Sequence, residues 1–206
     1  MKILYGTTNK AKLEVMRPVA ESLGFELVGL ERFGRLPVVD ESGDSPLENA
    51  RIKARAYFDA FAVPVFSCDS GLYFDGVADE LQPKTHVRRV NGKELSDEEM
   101  TEYYAGLASK HGGRLVARYR NAICFIADES ACFSCMDDSL ASEPFIITDV
   151  PHKKRVRGFP LDPLSIDIKT GKYYYDMGEE YDRITVVDGL RKFFEKALSE
   201  IRGRRA

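Results

Sequence analysis

The stretch that decides the fold is MKILYGTTNKAK, at residues 1–12. Its apolar part, Ile3-Leu4-Tyr5, is typical of a buried strand, and the polar residues after Gly6 are typical of a turn into a helix. Apolar residues then recur at helical spacing, at Leu13, Met16, Ala20 and Leu23. Pro18 lies inside this pattern and predicts that the helix is kinked or divided there. A strand that leads directly into a helix indicates a mixed α/β protein.

The same alternation of strands and helices continues along the chain. A second helix is predicted to begin with a capping box formed by Ser45 and Glu48, and a third with one formed by Ser96 and Glu99. Between these helices, a short apolar strand at residues 63–66 leads into Cys68-Asp69-Ser70-Gly71. Further predicted elements are strands at Leu115–Ala127, Ala131–Met136 and Phe145–Val150, a hairpin around residues 169–172, and a last helix from Leu190 to Ile201.

Composition excludes several classes of protein. The 206 residues, 44% of them hydrophobic, can bury a core without disulfides, and we expect residues 1–206 to form a single domain. A net charge of −3 gives no field that would attract nucleic acid or an anionic membrane, so neither is expected as a partner. The N-terminal apolar run is too short for a signal peptide or a spanning helix, and four cysteines are too few for a disulfide scaffold. We therefore expect a cytoplasmic protein.

Three polar segments could carry chemistry, and each also has an ordinary structural explanation. The first is Thr7–Lys12, at the predicted start of the first helix. Backbone N–H groups and the positive end of the helix dipole suit a phosphate there, and Lys12 would add charge. The alternative is that Thr8 or Asn9 simply caps the helix.

The second segment surrounds the start of the second helix. Asn49 and Lys53 are four residues apart and share a helix face. Together with Glu41 and Glu48, they could provide a metal site and a phosphate contact. The alternative is a solvated helix face with routine charge pairs.

The third segment is centred on Asp69, which follows the short apolar strand. A carboxylate at the end of a buried strand occupies the position where α/β proteins often place reactive groups. Gly71 would permit a tight turn or the close approach of a ligand. The alternative is a turn in which Asp69 bonds its own backbone.

Together the three segments form one ordered pattern. It reads Thr7-x-Asn9-x-x-Lys12, Glu41-x-Gly43-x-Ser45-x-x-Glu48-Asn49-Ala50-x-x-Lys53-Ala54 and Asp69-Ser70-Gly71-Leu72. This pattern strongly resembles the inosine triphosphate pyrophosphatase family, the Ham-type enzymes that hydrolyse non-standard purine triphosphates such as ITP, XTP and dITP to monophosphate and pyrophosphate. Weaker similarity continues through residues 158–163, GFPLDP, where the family usually has GFGYDP.

The resemblance implies a fold, partners and residue roles. The fold would be a long central mixed sheet flanked by helices, with two lobes around a nucleotide-binding cleft, in a magnesium-dependent homodimer. Asp69 would activate the attacking water, with Lys53 as a second catalytic residue, and Glu41 and Asp69 would bind Mg²⁺. The residues implied to contact the substrate are Thr7, Thr8, Asn9, Lys12, Asn49, Lys53, Ser70, Phe159 and Asp162.

Two departures from the family pattern leave alternatives open. Cys68 stands where the family usually has an acidic residue, and the family's Ser-His-Arg motif is absent, with Tyr181–Val187 in its place. The base preference therefore does not follow from the resemblance. The alternatives are a relative that acts on another nucleotide, with Phe159, Tyr174 or Tyr181 stacking the base, and a non-catalytic nucleotide-binding protein.

Two other motifs have no place in this pattern. Cys132-x-x-Cys135 could indicate zinc, with Cys124 and His152 as further ligands, but a structural zinc site needs four ligands and no second cysteine pair is nearby. The basic run at residues 152–157 could add phosphate affinity or could be a solvated loop.

Overall fold

The computed structural model describes residues 1–178 and 187–205. The helices in these ranges are α1 (Lys10–Ser22), α2 (Pro46–Phe61), α3 (Asp97–Lys110) and α4 (Val187–Arg205). The strands are β1 (Lys2–Tyr5), β2 (Glu26–Val28), β3 (Val65–Phe74), β4 (Arg89–Val90), β5 (Lys93–Glu94), β6 (Arg114–Asp128), β7 (Ala131–Cys135), β8 (Phe145–Thr148) and β9 (Ser165–Asp167). No helix of the described residues is long and apolar enough to cross a membrane.

Most of the strands belong to one mixed sheet. Its order is β2-β1-β3-β6-β8-β9, β7 also pairs with β6, and β4 and β5 form a separate hairpin. β1 runs parallel to β2 and β3, with α1 and α2 in the connections, because parallel strands need a crossover. β6 pairs antiparallel with β7 and β8, and β8 pairs antiparallel with β9. The predicted mixed α/β class is confirmed.

The chain divides into two compact units. The first contains Met1–Ser70, Asn121–Ala141 and α4, and the second contains Gly71–Arg120 and the described chain from residue 142 to 178. In the first unit, the alternation of β1 places Ile3 in one apolar cluster with residues of α1 and α4, and Leu4 in another with residues of α2. The core of the second unit lies among its strands, α3 and a short 3₁₀ turn.

Helix α1 is one continuous element that contains Pro18, so of the two predicted outcomes, a kink or a division, the division is wrong. The missing N–H of Pro18 leaves the carbonyl of Glu14 without its usual helical partner, and both residues are exposed, so water can satisfy that carbonyl. The other face of the helix buries Leu13, Met16 and Val19, and this burial favours an unbroken helix.

Strand β3 is longer than predicted and corrects the expected position of Asp69. The strand does not end after Phe66 but continues to Phe74, so Asp69 lies in its middle and Gly71 is a strand residue. The polar run suggested a turn, but Leu72 and Phe74 beyond it are buried in the core of the second unit. The alternation of buried side chains thus resumes after the polar residues and extends the strand.

The helix caps follow the predictions in part. Ser96 and Glu99 form the predicted capping box of α3. At α2 the Ser45 hydroxyl accepts from the Glu48 backbone N–H, as predicted, but the Glu48 carboxylate accepts from Asp44 rather than from Ser45. The loop before α2 is therefore bound back onto the first turn of the helix one residue earlier than a capping box requires. The predicted hairpin around residues 169–172 is present in shortened form, as a bridge between Ile166 and Tyr173.

Candidate active site

The loop after β1 is positioned by Gly6, whose backbone lies close to β3 and to a side chain of α2. The Gly6 N–H donates to the Phe66 carbonyl at 2.8 Å, which continues the pairing of β1 with β3. A Cβ on Gly6 would lie 2.3 Å from Ser67 Oγ and 2.5 Å from Tyr57 Cδ2, distances that side chains cannot adopt. Only glycine therefore fits at this position, and the loop that follows is held against β3.

That loop is ordered by its own polar side chains. Thr7 Oγ1 accepts from the Asn9 N–H at 3.2 Å, and Asn9 Oδ1 accepts from the N–H groups of Ala11 and Lys12 at 2.9 and 3.3 Å. Asn9 is thus the N-cap of α1, which is the structural alternative for this segment. Thr8 is exposed at the same turn. The first turn of α1 contains no acidic residue, so the positive end of its dipole is not neutralised from within.

Helix α2 presents Asn49 and Lys53 on one face, as their spacing predicts. Asn49 is buried, and its Oδ1 accepts from the Gly43 N–H at 2.8 Å. A Cβ on Gly43 would lie 2.8 Å from that oxygen, so glycine lets the loop approach the helix this closely. The same loop brings Glu41 to Lys53, with 2.8 Å between Glu41 Oε2 and Lys53 Nζ.

Asp69 completes a cluster of four side chains. Its Oδ1 accepts from Lys53 Nζ at 2.7 Å, and its Oδ2 accepts from Asn49 Nδ2 at 3.3 Å. The side chains of Lys53 and Asp69 are only 12% and 13% exposed, whereas that of Glu41 is 46% exposed. The structure therefore brings Asp69 of β3 together with Glu41, Asn49 and Lys53, which lie 16 or more positions before it in the chain. Because the Lys53–Asp69 pair is largely shielded from water, its attraction is stronger than that of a surface pair.

The two lysines of the site influence each other. Burial lowers the pKa of Lys53, but the carboxylates of Asp69 and Glu41 outweigh that effect and leave the pKa raised. Burial and the charge of Lys53 lower the pKa of Lys12, although Asp69 and other acidic groups oppose them. The site thus combines two cations with two carboxylates. An anion added to it would relieve the repulsion between the lysines.

Cys68 lies next to Asp69 but cannot replace a carboxylate. Burial raises the pKa of its thiol to about 11, against the opposing influence of Lys12 and Lys53. The thiol is therefore protonated near neutral pH, and a protonated thiol is a poor partner for a hard cation. The Tyr5 hydroxyl is hydrogen-bonded to Cys68, and burial raises the pKa of Tyr5 as well. Nothing in the sequence indicates this contact of Tyr5, because Ile3-Leu4-Tyr5 predicts only a buried strand.

The described residues include two carboxylates that could bind a divalent cation, Glu41 and Asp69. No group of three or more His, Cys, Asp or Glu suited to a metal occurs in residues 1–178 and 187–205. Both carboxylates already converge on the ammonium of Lys53, so their position favours positive charge. Oxygen ligands from one or two carboxylates, completed by water and substrate phosphate, are what Mg²⁺ commonly takes, so this donor set fits magnesium.

The remaining predicted residues are Ser70, Phe159 and Asp162. Ser70 follows Asp69 in β3 and is partly buried. Phe159 and Asp162 belong to the second unit. Phe159 lies in a turn, where its N–H donates to the Val156 carbonyl, and Asp162 is the first residue of a 3₁₀ turn. The stretch Tyr181–Val187, which replaces the Ser-His-Arg motif, lies outside the described residues apart from its last residue.

A family profile and several known proteins match this chain. The profile of the Ham1 family matches residues 3–166. The dITP/XTP pyrophosphatase of Methylococcus capsulatus is 31% identical over 128 residues, which are 62% of this chain and 62% of that protein. The dITP/XTP pyrophosphatase of Porphyromonas gingivalis is 27% identical over 182 residues, 87% of each chain. The chain thus spans about 62% of the length of the first of these relatives.

Solved structures of the same family have the same fold. A HAM1 protein from Coxiella burnetii superposes with a TM-score of 0.74 at 21% identity, covering 97% of this chain and 99% of that one. The Ham1 protein of Staphylococcus aureus gives 0.70 at 22% identity, covering 95% and 99%. Because the family profile spans most of the chain, including every residue of the Glu41, Asn49, Lys53 and Asp69 cluster, the chain belongs to the Ham1 family.

Proposed function

We propose that this protein is a nucleoside triphosphate pyrophosphatase that removes non-standard purine triphosphates such as ITP, XTP and dITP from the nucleotide pool. The cluster of Glu41, Asn49, Lys53 and Asp69 carries this proposal. A binding protein needs cations for the phosphates, but it does not need a shielded carboxylate beside them. The names of the curated relatives, dITP/XTP pyrophosphatases, support the same reaction.

The reaction joins water to the α-phosphorus and breaks the bond between that phosphorus and the oxygen bridging to the β-phosphate. Asp69 accepts the proton of the attacking water, and pyrophosphate leaves with the bridging oxygen. Lys12 and Lys53 stabilise the negative charge of the departing pyrophosphate. Without substrate, the ammonium of Lys53 is held by Asp69 and Glu41, so the triphosphate competes for it and releases Asp69 for proton transfer.

Magnesium completes the site in this proposal. Glu41 and Asp69 would hold Mg²⁺, which supplies charge that offsets the repulsion between the triphosphate and the attacking water. Asn49 keeps its bond to Asp69 and orients that carboxylate. Cys68, in the position where the resemblance implies an acidic residue, contributes no third carboxylate, so we expect weaker metal binding than a site with three carboxylates would give.

The other contacts of the substrate are proposed from the resemblance to the family. Thr7, Thr8, Asn9 and Ser70 would contact the phosphates, and Phe159 and Asp162 the rest of the nucleotide. We further propose a homodimer, and a cytoplasmic location because the free nucleotide pool is there. Size-exclusion chromatography with light scattering would test the first of these, and fractionation of cells the second.

The direct test measures pyrophosphate and phosphate separately with Mg²⁺ and a panel of ITP, XTP, dITP and the standard NTPs and dNTPs. We expect pyrophosphate as the product, and loss of about 10²-fold to 10⁴-fold of the activity in Asp69→Asn. The matched control is Asp59→Asn, which removes an exposed carboxylate that pairs with Arg55 on the outer face of α2. This control should retain full activity.

Each outcome has a definite meaning. Pyrophosphate release that Asp69→Asn abolishes and Asp59→Asn leaves intact supports the enzyme, and the ranking of bases gives its specificity. Binding of nucleotides without turnover of any of them would overturn the proposal in favour of a non-catalytic nucleotide-binding protein. The neutral thiol of Cys68 is the observation that favours this second candidate, since it adds no charge for a metal.

A further inference from the structure

Two cysteines outside the proposed site lie in contact across a hairpin. Cys124 of β6 and Cys132 of β7 have their sulfur atoms 3.9 Å apart. In the register of the hairpin, Cys124 is opposite Ser134 and Ile126 is opposite Cys132. The two cysteines are therefore diagonal neighbours on one face of the sheet, where side chains of adjacent strands can meet.

The two thiols have complementary environments. Cys124 is buried in the apolar cluster that contains Ala50 and Ala54 of α2, and Cys132 is exposed. Burial, and then the neighbouring Cys132, raise the pKa of Cys124 to about 12, so its thiol is protonated at neutral pH. A reagent from solution therefore reaches Cys132 first, with Cys124 held behind it as the second thiol.

The contact pair differs from the pair that the sequence motif suggests. Cys132 and Cys135 are three residues apart in a strand, and side chains at an odd spacing point to opposite faces. Cys135 packs against the cluster on the other face of the sheet, with Phe133, and its thiol donates to Asp137 Oδ2 at 3.2 Å. The two cysteines of the motif therefore point to opposite faces of the sheet, and Cys124 is the partner of Cys132.

We propose that Cys124 and Cys132 are a modification site, at which peroxide converts the two thiols into a reversible intramolecular disulfide. Hydrogen peroxide oxidises the sulfur of Cys132 to a sulfenic acid and is itself reduced, with release of one water. The sulfur of Cys124 then attacks that sulfur, the S–O bond breaks, and the proton of the Cys124 thiol leaves with the hydroxide as a second water. Two thiols and one peroxide thus give one disulfide and two waters.

The geometry also predicts how easily the bond is reduced. Bond formation requires the two sulfur atoms to approach from 3.9 Å to about 2 Å. Diagonal neighbours have their Cα atoms about 7–8 Å apart, which is beyond the usual range for a disulfide, so the strands of the hairpin must shift. A disulfide formed under such a constraint is more easily reduced than an unconstrained one. We therefore expect low concentrations of a monothiol reductant to reverse it.

The experiment uses the full chain, reduced and then treated with hydrogen peroxide in molar steps. Intact mass should fall by two hydrogen atoms per molecule, and peptide mapping should identify a Cys124–Cys132 crosslink that reduction removes. Cys135→Ser is the matched control, because it removes the other cysteine of the motif and should leave the crosslink unchanged. Cys132→Ser changes an exposed residue, so the variant should fold, and it should form no crosslink.

Two results would overturn the proposal. One is a gain of oxygen atoms at Cys132 with no loss of hydrogen in the folded protein, which would mean that the thiols cannot close the remaining distance. The other is a crosslink that persists in Cys132→Ser, which would assign the reactive pair to other cysteines. Neither result depends on nucleotide hydrolysis, so the test is independent of the proposed function.

Discussion

The two units of the molecule each contain a carboxylate held by a basic side chain at the same distance, 2.7 Å. In the first unit Lys53 contacts Asp69, and in the second Arg88 contacts Asp97. The Asp69 pair is about 12% and 13% exposed, whereas the side chains of Arg88 and Asp97 are 37% and 26% exposed. Equal distances therefore occur in two quite different environments.

The two carboxylates also differ in the groups to which they are hydrogen-bonded. Asp97 bonds Arg88 through Oδ1 and the Gly158 N–H through Oδ2 at 2.7 Å, and Arg88 also donates to the Leu95 carbonyl. Asp97 and Arg88 thus connect separate backbone segments of the second unit. Asp69 instead bonds Lys53 and the buried Asn49, and Lys53 is shared with the half-exposed Glu41.

The comparison separates a structural ion pair from a functional one. Removal of the Asp97 pair should affect stability, because backbone segments lose their connection. Removal of the Asp69 pair should affect catalysis instead. In the proposed reaction Lys53 leaves Asp69 for the triphosphate, and Asp69 binds in its place the Mg²⁺ that arrives with the substrate. Changes at corresponding positions in the two units test this division, and a change at Asp97 tests the structural pair alone.

Of the changes that compare the two units, removal of the cation in each pair is expected to have the largest effect. Lys53→Met should reduce pyrophosphate release by about 10²-fold to 10³-fold, because a donor to the developing charge is lost. Arg88→Met should leave turnover within the same order of magnitude and lower the melting temperature instead. Steady-state kinetics and thermal unfolding of both variants measure the two effects. Equal losses of activity in the two variants would contradict the division.

Much of this arrangement could be predicted from the sequence. The spacing of Asn49 and Lys53 placed them on one helix face, and the capping box of Ser96 and Glu99 located the start of α3. Both are local rules, in which the residues involved lie within one or two helical turns. The structure confirms both, because each depends only on residues that lie close together in the chain.

The remaining features depend on contacts that a local pattern does not contain. The path of β3 through Asp69 is set by burial of Leu72 and Phe74 in the second unit. The bond between Asn49 and Asp69 joins residues 20 positions apart, and the contact of Cys124 with Cys132 depends on strand register. The sequence identified Asn49, Asp69, Cys124 and Cys132 as candidates, but pairings across elements follow only from the fold.

The second prediction concerns one buried polar residue in each unit. Asn49 connects the Gly43 N–H to Asp69, and Thr101 donates to the carbonyls of Asp97 and Pro160. Asn49→Ala should lower kcat by about 10-fold to 100-fold, because a residue that orients a reactive carboxylate is lost. Thr101→Val should leave kcat unchanged and cost about 1–3 kcal/mol of stability, because two partly buried carbonyls lose a donor.

Kinetics and urea unfolding distinguish a positioning role of Asn49 from a purely structural one. If Asn49 only supports the fold, its loss should lower the fraction of active protein but leave the kcat of the folded fraction unchanged. Active-site titration with a slowly hydrolysed nucleotide gives that fraction. A normal kcat per active site in Asn49→Ala would mean that Asn49, like Thr101, only supports the fold.

The smallest effect is expected at Asp97, and it depends on pH. Burial raises the pKa of Asp97, but the bonds from the Gly158 N–H and Arg88 outweigh it and leave the pKa lowered. A carboxyl whose pKa is lower in the folded state adds stability above its unfolded pKa of about 3.9, and this contribution is lost as the pH falls through the folded value. Asp97→Asn should therefore cost about 1 kcal/mol near neutral pH and progressively less in acid.

The measurement is the free energy of unfolding in urea for the wild type and Asp97→Asn between neutral pH and pH 3. The difference between the two should be constant near neutral pH and should shrink as the carboxyl takes up a proton. Glu129→Gln is a control, because this exposed carboxylate pairs only at 3.5 Å with Arg55 and should show little difference at any pH. A difference for Asp97 that did not change with pH would mean that its charge contributes nothing, and that the bond to Gly158 stabilises the second unit through geometry alone.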